Sequence, residues 1–185
     1  MSAFTNPSDG SPSNASAYTA ALMELLGSRD PRDVLRSTPS VLAGRVSALS
    51  PESVRVPEGP GKWSIVEVVQ HLADSELVGG WRYRMIIAHD RPAITGYDQD
   101  AWADRLGYGE ADMNEALLQF AVLRRANLRL VDGLAPGDLD RVGVHAERGE
   151  ESVARMLRLY AGHDLLHLAQ IDRIAKAVRD TTKVE

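Results

Sequence analysis

Cysteine is absent from this 185-residue chain. That excludes disulfides, thiolate metal ligands and a thiol nucleophile supplied by the protein. Thiol chemistry would need a small-molecule thiol, and a metal would have to be held by imidazole or carboxylate. No apolar run of about 18 residues occurs, so no membrane-spanning helix is expected. A basic patch followed by an apolar run is missing near Met1, so the start does not read as a secretory signal, and a cytoplasmic location is expected. Basic excess is lacking as well. The net charge is −5, which gives no electrostatic case for a nucleic-acid partner. Alternation of apolar and polar residues over strand length is not evident, so strands are not expected. What remains is a composition ordinary for a globular protein, 44% hydrophobic and 25% charged, long enough for one domain with a sizeable core.

Helical periodicity fills most of the chain. Residues 1–16 are rich in Ser, Asn, Pro and Gly and are expected to form a disordered tail, with the folded domain spanning 17–180. A first helical region starts near Ala17, is broken around Gly27 and Pro31, and resumes at Asp33 until Ser50-Pro51. Ser64-Ile65-Val66-Glu67 matches a capping box and opens a second helix reaching towards Ala88. Gly79-Gly80 in its middle implies close packing against a neighbour or a bend. Asp90 to Glu110 reads as an irregular crossover with one short helical turn near Gln99–Arg105. A third helix is expected from about Ala111 to Gly133, with Met113, Leu117, Phe120, Leu123 and Leu130 at helical spacing, and a fourth from about Glu151 to Arg179. Long amphipathic helices without strands predict an all-α four-helix bundle with a long crossover between helices two and three. Such a crossover exceeds ordinary bundle loops, and Tyr97 and Trp102 within it suggest an ordered cover.

The last helix carries an unusual stripe: Val153, Met156, Tyr160, His163, His167, Gln170, Ile174. Residues at i and i+4 stand one above the other, so His163 and His167 share a face that should point at the core. Burying two imidazoles costs free energy unless their polar atoms find partners. A metal ion would satisfy both, given a third ligand. His71, two turns into the second helix, could supply it, leaving an open position for water or substrate. On the residues alone, two hydrogen-bonded core imidazoles remain an equal alternative, and a hydrogen-bonded core histidine is the simpler reading of His71 taken singly. Asp164, Asp74, Glu67 and Gln170 are candidates to orient the rings. His89 reads as a helix C-terminal residue and His145 as a loop residue.

Other side chains admit two readings. Tyr97 and Trp102 are candidates to line a substrate pocket or to anchor the crossover. Tyr160, one turn before His163, could present its hydroxyl to the site, although a core tyrosine is the simpler reading. Arg124, Arg125 and Arg129 fit a solvated helix face better than an anion site. Asn127 fits an interhelical hydrogen bond.

Several of these segments resemble a known family. GKWSIVEVVQHLADSE at Gly61–Glu76 and LYAGHDLLHLAQI at Leu159–Ile171 are similar to the second- and fourth-helix signatures of the DinB-like superfamily. ITGYDQDAW at Ile94–Trp102 and RRAN at Arg124–Asn127 resemble its YfiT-like branch, a group of metal-dependent hydrolases by designation. The resemblance covers roughly Val34 to Lys176. It implies a four-helix bundle, often homodimeric, with zinc or nickel held by three histidines that fall here on His71, His163 and His167. It also implies kinship with S-transferases that use bacillithiol or mycothiol. The expected function is therefore metal-dependent transfer of a small thiol cosubstrate to an electrophile. A metal-dependent hydrolase using activated water is the alternative, weakened because no Glu lies between the two histidines as in HExxH. A non-enzymatic metal-binding or dimerisation module is the third reading.

Overall fold

A computed structural model describes residues 12–182, with side chains from 15 to 180. Six helices carry the fold: α1 Pro12–Leu26, α2 Pro31–Val46, α3 Ile65–Ala88, α4 Gln99–Arg105, α5 Met113–Asp132 and α6 Val153–Thr182. Three short strands join them: β1 Ala93–Ile94, β2 Val142–His145 and β3 Gly149–Ser152. Helices α2, α3, α5 and α6 form a four-helix bundle, with α3 against α5 and α6, α2 against the same two, and α1 lying along α6.

Local chemistry sets the helix ends. Both the backbone N–H and the hydroxyl of Ser64 donate to Glu67 Oε2 at 2.7 Å, opening α3. Asp30 accepts from Arg32 N–H at 2.7 Å, and Pro31 occupies the first helical position of α2, where its missing donor costs nothing. Asp98 caps α4 by accepting from Asp100 and Ala101, on the span expected for the crossover's helical turn. Gly27 takes φ +59°, so α1 and α2 are separate helices rather than one kinked rod.

Two sequence expectations change. Helix α1 begins at Pro12, inside the segment read as tail; residues 1–11 lie outside the described residues. Its start is explained by packing: Ala15, Thr19 and Leu22 are buried, which composition alone could not reveal. The chain also contains strands. The sheet has the order β1-β2-β3, with β1 parallel to β2 and β2 antiparallel to β3. Strands of two to four residues are too short for a periodicity signal, and the pairing of Ala93 with Val144 joins segments far apart in sequence. The sheet ties the crossover to the connection between α5 and α6.

A small apolar cluster, Leu22, Leu159 and Leu166, seats α1 on α6, and two large ones make up most of the core. One gathers Leu42, Val69, Leu72, Phe120, Ile171 and Ile174, and the other gathers Leu35, Tyr83, Ile86, Leu128, Met156 and Leu157. Between them each bundle helix places a buried polar residue: Thr38 on α2, Glu76 on α3, Arg124 on α5 and Asp164 on α6.

Close approach explains three glycines. A Cβ at Gly79 would lie 2.6 Å from the Tyr160 ring, and one at Gly80 would lie 2.4 Å from Asn127 Oδ1. The pair therefore marks close packing, and α3 runs unbroken through it. A Cβ at Gly162 would come within 2.2 Å of the backbone oxygen of Leu22, and backbone cannot rotate away as a side chain can. Gly162→Ala is expected to push α1 from α6 and to lower stability by about 1–3 kcal/mol, the usual cost of overpacking. Urea denaturation checks this, and an unchanged midpoint would contradict the contact.

Candidate functional site

Three imidazoles meet between α3 and α6. His71 Nε2 lies 3.1 Å from His163 Nε2, which lies 3.0 Å from His167 Nε2. One ring nitrogen from each falls within 4.8 Å of the others. Helical spacing delivers the pair on α6, and the capping box fixes where α3 begins and so where His71 falls on it. All three rings have pKa values lowered, chiefly by burial. His167 lowers His71 further, and His167 and His71 both lower His163; His167 itself falls to about 4. They are neutral imidazoles at pH 7.

Hydrogen bonding defines what this cluster can accept. His167 Nδ1 meets Gln170 Oε1 at 2.7 Å. The amide oxygen only accepts, so Nδ1 carries the proton and Nε2 presents a bare lone pair. His163 Nε2 faces two other Nε2 atoms and can donate at most one proton between them. His71 Nδ1 is buried without a partner. No arrangement of protons satisfies every contact of the trio. A cation would, so the donor set fits a divalent metal bound by imidazole nitrogen.

Among the residues considered for orienting the rings, Gln170 alone makes that contact. Glu67 is spent on the α3 cap. Asp74 accepts from the Tyr108 hydroxyl at 2.5 Å. Asp164 turns to Arg124, which grips it bidentately at 2.6 and 2.9 Å.

A cleft of about 80 Å³ opens beside His71 and His163. Tyr97 and Tyr160 line it, whereas Trp102 does not and instead packs on Tyr97 with centroids 4.5 Å apart. The Tyr97 hydroxyl sits 3.1 Å from Ser75 Oγ, itself 3.5 Å from His71 Nε2. Burial pushes Tyr97 up to about 12 and raises Tyr160, so both hydroxyls keep their protons. Residues that sequence reasoning missed complete the wall: Tyr18 from α1, Gln99 from α4, Arg82 from α3, and Arg148 with Glu151 from the β-hairpin. Arg82 had a usable signal, since it lies three helical turns from His71 on the same face. Arg148 and Glu151 had none, because strand pairing brings them in.

Two further readings are corrected. Arg124 is no solvated residue; it is 2% exposed. It also donates to Glu76 Oε1 at 2.9 Å and to the Leu35 carbonyl at 2.8 Å. Arg125 and Arg129 are exposed. His145 is a buried strand residue whose Nε2 lacks a partner and whose pKa burial lowers to about 4. Asn127 makes the expected interhelical bonds, donating to the Glu76 carbonyl at 2.9 Å and its carboxylate at 3.0 Å. His89 ends α3 as expected.

Comparison with known proteins places this architecture. The model of the DinB superfamily matches residues 35–171. The chain belongs to the DinB superfamily. A protein of Oceanobacillus iheyensis named a "putative metal-dependent hydrolase" is 29% identical over 142 residues, covering 77% of this chain and 82% of that protein. A Bacillus licheniformis protein of the same designation is 30% identical over 141 residues, 74% of this chain and 78% of its own length. Among solved structures, YfiT from Bacillus subtilis superposes with a TM-score of 0.74 at 26% identity, covering 79% of this chain and 84% of YfiT. YfiT is described as "a probable metal-dependent hydrolase with an unusual four-helix bundle topology". This DinB-superfamily chain thus has relatives named as metal-dependent hydrolases and a cluster of three histidines able to hold a metal. No helix among its described residues is long and apolar enough to cross a membrane.

The buried charge network gives a direct test. Arg124→Met would leave Glu76 and Asp164 without their cation, at an expected cost of about 3–5 kcal/mol in unfolding free energy. A loss below about 1 kcal/mol by denaturant titration would contradict the pairing.

Proposed function

We propose that this chain is a metal-dependent thiol S-transferase, with zinc or nickel held by His71, His163 and His167 and a small thiol of the bacillithiol type as cosubstrate. The observation carrying this reading is the convergence of three neutral imidazoles whose lone pairs cannot all be satisfied by protons. A divalent ion held by these histidines would supply Lewis acidity, lowering the pKa of a small thiol so that thiolate would be available at neutral pH. The chain's own residues then position and shield. Gln170 fixes the tautomer of His167. The protonated hydroxyls of Ser75 and Tyr97, beside His71, are donors that can orient a polar group of either substrate. The crossover, pinned by the sheet, covers the cleft.

The absence of a free acid separates this reading from hydrolysis. Among the described residues the only carboxylate in the cleft wall is Glu151, and both its oxygens are taken by Arg148 at 2.7 and 2.8 Å. Hydrolysis commonly draws on a carboxylate base beside the water, whereas a thiolate generated by the metal needs none. The lack of protein cysteine also leaves no competing thiol for the electrophile. Metal-dependent hydrolysis is the second reading, favoured by the names of the relatives. Homodimerisation is proposed as well, supported by Leu77 and Trp81 on α3 and Leu118 and Val122 on α5, which leave four large apolar side chains exposed on two packed helices.

Elemental analysis of the purified chain should find about one divalent ion per polypeptide, lost in His71→Ala and His163→Ala. Conjugation of a generic electrophile should depend on added thiol and vanish in the same variants. Thiol-independent ester cleavage without conjugation would replace transferase by hydrolase. Metal with no turnover would leave a binding module, and no metal uptake when metal is supplied would end both enzymatic readings. Sedimentation of the same sample as a monomer would overturn the dimer.

A further inference from the structure

The far end of the cleft holds an uncompensated positive charge. Arg82 is 6% exposed and lines the cleft, yet it has no carboxylate within salt-bridge distance among the described residues. One guanidinium nitrogen donates to the Thr95 carbonyl at 2.6 Å and the side chain also hydrogen-bonds the Tyr160 hydroxyl, while its Nε–H is buried without an acceptor. The nearest compensation would be Glu151, whose side chain is only 1% exposed and whose two oxygens are both used by Arg148. Two guanidiniums therefore face one carboxylate, leaving one cation over.

A buried charge with an unmet donor is costly unless something supplies the missing acceptor. Here the donor lies in the wall of an accessible cleft, on the same α3 face as His71 and Ser75. Eleven residues at about 1.5 Å each put the two Cα positions about 16 Å apart along the helix. The cleft wall also includes Tyr97, Tyr160 and Met156, which suits an apolar or aromatic linker.

We infer that the Arg82 end of the cleft is a carboxylate-binding subsite, so that a substrate of this protein carries a monoanionic carboxylate separated by a largely apolar linker from the group handled at the histidines. The excess of one positive charge matches a monoanion; a phosphate dianion would be left half-neutralised. Guanidinium suits carboxylate because its planar donors match the acceptor's geometry. The inference deepens the metal-enzyme reading and rests on it in taking this cleft as the substrate's.

Hexanoate, hexanol and hexyl phosphate serve as probes, with binding to the full chain measured by calorimetry in metal-free and metal-loaded samples. Hexanoate should bind at least about tenfold more tightly than hexanol, the margin expected of one charge-assisted hydrogen bond, and the preference should persist without metal. Arg82→Gln should abolish it, and Arg82→Lys should retain part of it. Equal affinity for hexanoate and hexanol in the wild-type chain overturns the subsite even where thiol conjugation is observed. A preference that survives in Arg82→Gln, or tighter binding of hexyl phosphate than of hexanoate, overturns the assignment to Arg82 or to carboxylate. A preference lost in Arg82→Gln supports the subsite even where no conjugation is found. Should Arg82→Gln fail to fold, the wild-type comparison and Arg82→Lys decide.

Discussion

A guanidinium in the middle of a helical bundle must be surrounded by acceptors, and meeting that demand at Arg124 organises the molecule. Its donors reach Asp164 on α6, Glu76 on α3 and the Leu35 carbonyl on α2. One side chain of α5 thus touches every other bundle helix. The fork of a guanidinium is planar and fixed, so these contacts constrain rotation and sliding of the helices more tightly than apolar packing would. Asp164 directly follows His163, and Glu76 directly follows Ser75. The grip that orders the bundle therefore also sets the separation of α3 and α6 at which the imidazole of His71 reaches that of His163. Buried ion pairs are weak evidence for net stability, because desolvation offsets much of their attraction. Their contribution here is register.

The glycines of α3 serve the same geometry from the other side. Gly79 admits the Tyr160 ring and Gly80 admits Asn127, whose amide then donates to Glu76. Side chains at these positions would hold α5 and α6 away, and both the charge network and the histidine cluster would open. Helix propensity is given up in mid-helix for the close approach the polar layer requires.

How far the sequence discloses this depends on the range of the interactions. The α3 cap, the short helix in the crossover and the histidine face of α6 are written in spacings of two to four residues, and such patterns survive in one dimension. Arg124 is different. Ala116, Phe120, Arg124, Asn127 and Val131 form the buried face of α5, but an arginine in that register reads as the edge of a solvated face unless its partners on three other helices are known. The sheet is illegible for a related reason. Strands of two to four residues carry no period, and the parallel pairing of β1 with β2 exists only after the bundle has brought the crossover and the α5–α6 connection together. Arg148 and Glu151 enter the cleft through that pairing, so they were hidden with it. Only the start of helix α1 is hidden by composition: the body of the helix from about Ala17 is legible, but a Ser- and Asn-rich lead-in gives little sign that the helix already begins at Pro12 and buries Ala15.

The disposition of acids around the cleft has a chemical consequence. Glu67 caps a helix, Asp74 receives Tyr108, Glu76 and Asp164 hold Arg124, and Glu151 holds Arg148. Every carboxylate close in sequence to the histidines or lining the cleft is thereby engaged by a structural partner. The basic groups left at the histidine end are imidazoles that burial keeps neutral, and the charged group left unmatched at the other end is the guanidinium of Arg82. Such a cleft attracts anions and soft or neutral donors, and among the described residues its one carboxylate, Glu151, is held by Arg148 rather than free to activate water. Nucleophile generation by a bound cation, with the protein supplying orientation and charge complementarity, is the chemistry that this distribution of donors and acceptors favours.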